Sequence, residues 1–366
     1  MKRLDTYIIK KFLGTFFYMI TLILTIVVVF DINEQLDKFL THLSPGETTP
    51  PHEKLTLNKI VFDYYKNLIP YYASVFSPLF TFISVIFFTS KMANNSEIIA
   101  ILSTGVSFKR LIRPYMISAF IIAIFTYLLN GYVIPPANVV RIDFQNKYIK
   151  NKKVEYARKI QLEATPDVIA YFEQYDNTTK IGTNFSLDKF EGKQLKSKLT
   201  AHRITYDSLQ RWTVQNYMIR EFDNMRERIT KGERKDTLLG IEPSDFLISK
   251  GDYDQMTSPQ LKNYIEKQKK RGVGNITEFE IEYERRYAAF MASFILTFIG
   301  VSLSSRKIKG GMGLNIGIGL GLSFSYILFQ TLSAAMSGTM NPRLSAWIPN
   351  ILYSIIAVFL YRKAPK

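Results

Sequence analysis

The 366-residue chain contains no cysteine, three histidines and two tryptophans. Without cysteine there are no disulfides, no thiolate zinc sites and no thiol nucleophile. The absence also suits a domain exported to an oxidising space. His42, His52 and His202 are scattered and lack a neighbour at ligand spacing, so no metal site is expected. Neither a serine nucleophile elbow nor an ordered Ser-His-Asp set is visible, and no catalytic residue is assigned. Strands and helices do not alternate in the rhythm of a parallel nucleotide-binding sheet. The glycine-rich stretch GMGLNIGIGLGLSFS (311–325) has no preceding strand and no internal lysine, so it is not a phosphate loop. No cofactor is expected.

Charge is missing from six long stretches: 12–30, 67–90, 114–140, 287–305, 310–342 and 344–361. A mean hydropathy of +0.01 conceals them. Each holds between 18 and 33 residues rich in Ile, Leu, Val and Phe, near or above the roughly 20 that cross a bilayer. Six transmembrane helices are expected. The first is not read as a cleaved signal, because acids rather than a small-residue cleavage site follow it. No span carries an ionisable group at its centre, which weakens an ion-coupled transport reading. Energy for any movement would enter from outside the bilayer.

Between the third and fourth runs lies a polar insert, 141–286, with 28 basic and 23 acidic residues. Its net +5 leaves +11 of the total +16 beside the spans. That distribution fits membrane orientation better than a nucleic-acid-binding face. The N-terminus, the 91–113 loop, the 306–309 loop and the tail hold 14 basic residues against Asp5 and Glu97. The opposite-side loops, 31–66 and 337–343, hold five basic and six acidic ones. Both termini are therefore expected in the cytoplasm and the insert outside it.

Within the insert, 168–174, 180–190, 194–206 and 211–222 show partial period-2 alternation, with turn residues Asp176-Asn177 and Glu191-Gly192 between them. Their spacing suggests an antiparallel sandwich or open jelly roll. Residues 258–272 read as a helix, with Ser258 as N-cap, Pro259 at the first position and Gly272 as stop. Leu261, Tyr264, Ile265 and Gln268 share one of its faces. Glu278, Glu280, Glu282 and Glu284 alternate through 277–287 beside Arg285 and Arg286, an exposed-looking charged surface. The expected class is an α-helical integral membrane protein, six helices as three plus three, with an inserted antiparallel β-jellyroll.

Two stretches carry functional expectations. Gly313, Gly317 and Gly321, followed by Ser325, recur every four residues, a small-residue ridge that lets another helix approach closely. Residues 94–114, NNSEIIAILSTGVSFKRLIRP, form a compact amphipathic element between the second and third spans. Ser96 is placed to cap it, Glu97 complements the dipole of its first turn, and Gly105 ends it. Ile98, Ile101 and Leu102 form an apolar stripe. Such a helix either rests on lipid headgroups or docks into a cytoplasmic protein with Glu97 meeting a basic group. Lys109, Arg110 and Arg113 suit anionic lipid equally, so the residues leave both readings open.

MKRLDTYIIKKFLGTFFYMI at the start, the block PLFTFISVIFFTSKMANNSEIIAILSTGVSFKRLIRPY (78–115) and the three-domain-three layout resemble the LptF/LptG permeases of lipopolysaccharide export. The opening and the length are more similar to the LptG member. The resemblance implies a non-catalytic permease subunit in the bacterial inner membrane that passes lipopolysaccharide to a periplasmic protein bridge. It implies three regions: 1–140 with spans one to three and a coupling helix at about 94–106, 141–286 as a periplasmic β-jellyroll, and 287–366 with spans four to six. The implied partners are an LptB-type ATPase dimer, an LptF-type permease and an LptC-type membrane-anchored periplasmic protein.

By that resemblance Glu97, Ile98, Ile101, Leu102 and Gly105 couple to the ATPase. Phe16, Phe30, Leu36, Lys38, Gly313, Gly317 and Gly321 line the lipid cavity or its gate. The stretch DINEQLDKFL (31–40) departs from the basic residues expected near the outer end of span one. Lys38 is its one cation, and Arg141, the partner permease or a bridging divalent cation are the alternatives for phosphate contact. The Pro- and Thr-rich loop 41–59 is assigned no role. A membrane-anchored envelope scaffold or binding protein without transport, or the LptF-like partner subunit, is the alternative function. A lipoprotein-releasing or macrolide-exporter-like permease would place its large domain after span one, unlike this chain.

Overall fold

The computed structural model describes residues 3–43, 55–150, 156–177, 179–208, 211–223, 226–243, 252–270, 276–306, 311–336 and 340–364. Part of the 41–59 loop, His52, the expected stop at Gly272 and the basic residues Lys2, Lys307, Lys309 and Lys366 lie outside them. The chain divides into two compact units. One comprises Met1–Ile149, Asp254–Ser258 and Thr277–Lys366, and the other Lys150–Tyr253 and Pro259–Ile276.

The first unit is helical. Its six long apolar helices are α1 (Arg3–Leu43), α2 (Leu57–Asn94), α4 (Phe108–Ile149), α6 (Thr277–Ser304), α7 (Gly311–Ala335) and α8 (Pro342–Lys363). A short helix, α3 (Glu97–Ser103), stands between α2 and α4. Segments that must live in hydrocarbon have no water to satisfy their amides, so a helix that bonds every amide internally is what such runs form. The helices overrun the charge-free stretches at most ends, because the winding continues into the polar zone. Within α4, Leu129–Val133 is a π turn one residue ahead of Pro135 and Pro136. The wider turn accommodates the two prolines, which have no N–H to offer the carbonyls of the preceding turn.

Polar side chains stitch these helices together, as expected where packing alone offers little preference over lipid. The Ser74 hydroxyl donates to Asn130 Oδ1 (2.6 Å), and Ser77 and Thr126 bond at 3.0 Å. Asn315 Nδ2 donates to Ser90 Oγ (3.0 Å), tying α7 to α2. Asn350 of α8 accepts from the Tyr326 hydroxyl (2.9 Å) and donates to the Ala288 carbonyl (2.8 Å), joining three helices. Two glycines permit close crossings: a Cβ on Gly300 would run into Val85 Cγ1, and one on Gly319 into Ile86 Cδ1.

The second unit holds one six-stranded antiparallel sheet: β1 (Tyr156–Thr165), β2 (Val168–Asp176), β3 (Ile181–Glu191), β4 (Gln194–Ser208), β5 (Arg211–Asp223) and β6 (Arg226–Leu238). Each strand pairs with the next in chain order, an up-and-down meander. Its core is Phe172, Phe185, Trp212 and their neighbours, with the Trp212 indole donating to the Ile241 carbonyl (3.0 Å). Alternation in the sequence marks β2 to β5 but neither β1 nor β6. β6, RERITKGERKDTL, is exposed along nearly its whole length. Charge suits such an edge strand, since it discourages pairing with stray chains, but it erases the alternation that marks a strand. The helix read at 258–272 is α5 (Ser258–Lys270), with Leu261, Ile265 and Gln268 buried along one face.

A crease crosses this sheet. The register is unbroken on both sides of one row: Ile160 faces Phe172, Phe185 faces Ala201, and Tyr217 faces Gly232, while Arg158 faces Gln174, Thr183 faces Arg203, and Gln215 faces Arg234. The row between is Lys159, Glu173, Asn184, His202, Asn216 and Glu233. Lys159, Asn184 and Asn216, on alternate strands, have φ of 54°, 49° and 51°. A left-handed residue turns its strand by half a pleat. Buried positions therefore step by three across that row on β3, from Gly182 to Phe185, and the strands paired with it keep the same step, from Phe172 to Tyr175 on β2 and from Ala201 to Ile204 on β4. This is the physical reason the period-2 alternation in the sequence is only partial.

Candidate functional site

Helix α3 follows a left-handed residue, Ser96 (φ 60°), whose side chain makes no capping bond. The expected Ser96 cap is thus absent, and Asn95 Nδ2 donates instead to Glu97 Oε1 (3.2 Å). At the other end Gly105 takes φ +82°, the left-handed stop that glycine adopts without steric cost. Ser103 Oγ and Thr104 Oγ1 donate to the carbonyls of Ala100 (2.9 Å) and Ile101 (2.7 Å). Ser107 then caps α4, accepting from the Arg110 amide.

The apolar stripe points inward. Ile98 is 1% exposed within the chain's own core, and Ile101 and Leu102 pack partly buried against that core. These three side chains anchor the helix to the chain's own core. The outward face carries half-exposed Glu97, Ile99 at 55% exposure, Ala100, Ser103 and Thr104. The nearby cations also divide. Arg110 Nη2 donates to Asp5 Oδ2 (2.7 Å), clamping the start of α4 to the start of α1. Lys109 and Arg113 remain exposed.

The residues expected along a lipid path separate in the same way. Phe16 is 0% exposed, packed within the core of the helical unit, so it belongs to the interior of this chain and not to a cavity surface. Phe30, 70% exposed, and Leu36 lie open on α1. The Lys38 ammonium donates to Gln35 Oε1 (2.9 Å). Asp31 turns towards the aromatic cluster of Phe39, Tyr64 and Phe144, accepting from the Tyr64 hydroxyl (3.1 Å). Arg141 lies over the Tyr71 ring, 4.6 Å from its centroid, and donates twice to Asn138 Oδ1 (3.1 and 2.9 Å). Gly313, Gly317 and Gly321 are exposed, and a Cβ added at any of them would meet nothing within 4 Å, so their ridge faces away from the rest of the chain.

One buried polar cluster has no mark in the period-2 pattern of its segment. Residues 277–287 are the first turns of α6 and not an alternating surface. Glu282 and Arg286, one turn apart, are therefore buried together, with Arg286 Nε donating to Glu282 Oε1 (3.1 Å) and Nη1 to Ser258 Oγ (3.1 Å). Asn138 Nδ2 donates to the Asp254 carbonyl (3.0 Å), and Arg285 lies 3.9 Å from the Asp254 carboxylate. The segment Asp254–Ser258 is thereby bound to α4 and α6. Burial, reinforced by the Glu282 charge and opposed by Arg285, Arg286 and Arg141, raises the Asp254 carboxyl from 3.8 to about 6. The spacing of an acid and a base four apart was the available signal, and the period-2 reading obscured it.

Among the described residues no three His, Asp or Glu side chains gather as metal ligands. No curated protein matches the chain. A family model described as the lipopolysaccharide export system permease LptF/LptG matches residues 6–363. The match spans the six apolar helices and the inserted sheet together, and so the chain belongs to the LptF/LptG family of lipopolysaccharide export permeases, transport components of the bacterial inner membrane.

Proposed function

We propose that the chain is the LptG-type half of an ATP-driven permease pair that lifts lipopolysaccharide from the outer leaflet of the inner membrane. The observation that carries this reading is α3. It is a seven-residue knob anchored by Ile98, clamped at its base by Asp5–Arg110, and displaying Glu97 and Ile99 outward. A rigidly seated knob transmits force, whereas a floating interfacial helix would dissipate it. An LptB-type ATPase dimer closing on this knob moves α2 and α4 as levers, and the sheet unit, on the periplasmic side, passes lipid towards an LptC-type protein. The opening LDTYIIKKFLGTF supports LptG over LptF. The Gly313, Gly317 and Gly321 ridge supports pairing with an LptF-type permease, and Phe30 and Leu36 offer the lipid a surface on α1.

Two measurements test the reading. Glu97→Lys is expected to cut co-purification of the ATPase at least tenfold while leaving the permease folded. Photo-reactive groups at positions 30 and 36 are expected to capture lipopolysaccharide only when ATP is turned over, and one at position 16 is expected to capture none. Normal ATPase association in the Glu97→Lys protein would sink the coupling role. Equal capture with and without ATP would favour a static scaffold.

A further inference from the structure

The outer surface of the helical unit carries a groove of about 810 Å³ between α6 and α8. Met291 and Ile295 form one wall, and Ile351, Ile355, Val358 and Phe359 the other. Its polar lining groups are already engaged inside the protein. The Trp347 indole donates to Glu284 Oε2 (3.0 Å), Asn350 bonds to Tyr326 and Ala288, and the Ser354 hydroxyl turns back to the Asn350 carbonyl (2.7 Å). What the groove presents is hydrocarbon. From Trp347 to Arg362 it follows 15 residues of helix, about 22 Å at 1.5 Å per residue. That exceeds the roughly 15 Å depth of a single leaflet's hydrocarbon.

Its two ends differ. At one, Glu284 is engaged with Trp347 and with Arg343 Nε (2.9 Å). At the other stand Arg362, whose side chain makes no ion pair or hydrogen bond among the described residues, and Lys363, whose ammonium lies 4.4 Å from the centroid of Phe359. No acid occurs anywhere in 344–366 to neutralise them.

We infer that this groove is a binding site for one anionic glycerophospholipid, with its phosphate at Arg362 and Lys363 and an acyl chain along α8. Two features select that occupant. Helices dock in membranes through small residues that let backbones approach, and apart from Ser354 the lining is branched, aromatic or long. A flexible acyl chain fits such a wall, and a helix is better served by the glycine ridge of α7. Free cations at the end of an apolar groove select a negative headgroup over a zwitterionic one. Placing that end in the cytoplasmic leaflet rests on the topology of the permease reading.

The test is native mass spectrometry of the intact complex, exchanged into nanodiscs of phosphatidylglycerol or phosphatidylethanolamine and released into mild detergent. Wild type is expected to retain one phosphatidylglycerol and at least fivefold less phosphatidylethanolamine. The double substitution Arg362→Gln, Lys363→Gln is expected to lower phosphatidylglycerol retention at least fivefold. Ile355→Trp, which fills the groove and leaves the charges, is expected to do the same. Circular dichroism of each variant checks that the helices persist, and Ile355→Val serves as a milder groove change that should retain lipid. Retention unaffected by the substitutions overturns the proposal. So does loss on charge removal but not on groove filling, which marks surface adsorption. Retained lipopolysaccharide in place of the phospholipid, or a partner helix cross-linked to position 355, overturns it as well. Failure of lipopolysaccharide transport would sink the permease reading and leave this measurement intact.

Discussion

At the residue scale, identical amino acids have opposite duties according to what faces them. Gly300 lies where a methyl group would enter Val85, so Gly300→Ala is expected to force the two helices apart and cost about 1–3 kcal/mol. A lowered apparent Tm of the purified protein in detergent checks this. Gly317 meets nothing in its own chain. Gly317→Leu is therefore expected to leave that Tm unchanged and to reduce co-purification of the second permease subunit, since only an external helix would sense the added bulk. The sequence marks both as glycines in apolar runs. The regular four-residue ridge made Gly317 conspicuous, whereas Gly300 stands alone, and nothing local distinguishes it. The same limit applies to Ile98: an amphipathic stripe reveals which residues share a face, but not whether that face meets the chain's own core or a partner.

At the scale of elements, the sheet is governed by its crease. Asparagine tolerates the left-handed region better than β-branched residues do, and Asn184 and Asn216 occupy it on β3 and β5. Asn216→Val is expected to destabilise the sheet unit by about 1–2 kcal/mol or more, and Asn216→Gly to be close to neutral. Hydrogen exchange of the β4–β5 and β5–β6 amides should report the difference, with faster exchange for the valine protein alone. If both variants exchange alike, the left-handed turn at 216 is not constraining the sheet. The crease was partly legible in the sequence. Pairs of consecutive polar residues interrupt the strands at Glu173-Gln174, Thr183-Asn184, His202-Arg203 and Gln215-Asn216. What the sequence could not show is that these interruptions fall in one row, because that depends on register, and register is fixed by the hairpins and the packing of the apolar face.

At the scale of the whole molecule, the short segment Asp254–Ser258 belongs to the helical unit although the chain on either side of it, Lys150–Tyr253 and Pro259–Ile276, belongs to the other. Arg286 holds it through Ser258 while balancing Glu282. Arg286→Met is expected to cost about 1–3 kcal/mol, because it leaves the buried Glu282 carboxylate with the half-exposed Arg285 (2.5 Å) as its ion-pair partner, and adding Glu282→Leu is expected to recover much of that loss. Thermal melts of the single and double variants decide it. Asp254 adds a pH dependence. Its carboxyl, raised from 3.8 to about 6, holds a proton more tightly in the fold than in the unfolded chain. The resulting stability is fully present below about pH 4 and is lost as pH rises through about 6. Wild type is thus expected to melt lower at pH 7 than at pH 5, by an amount on the order of 2 kcal/mol or less. Asp254→Asn should flatten that window, and an unchanged profile would remove Asp254 from the account. The six spans, the inserted sheet, the export family and the candidate knob at Glu97 are legible in the amino-acid order, because bilayer length, strand composition and local motif are written in consecutive residues. Tertiary structure alone decided that Ile98 and Phe16 lie inside, that Glu282 and Arg286 form a buried pair, and that six strands bend along one line. Those outcomes turn on which faces meet across long sequence separations, and no local pattern encodes that meeting.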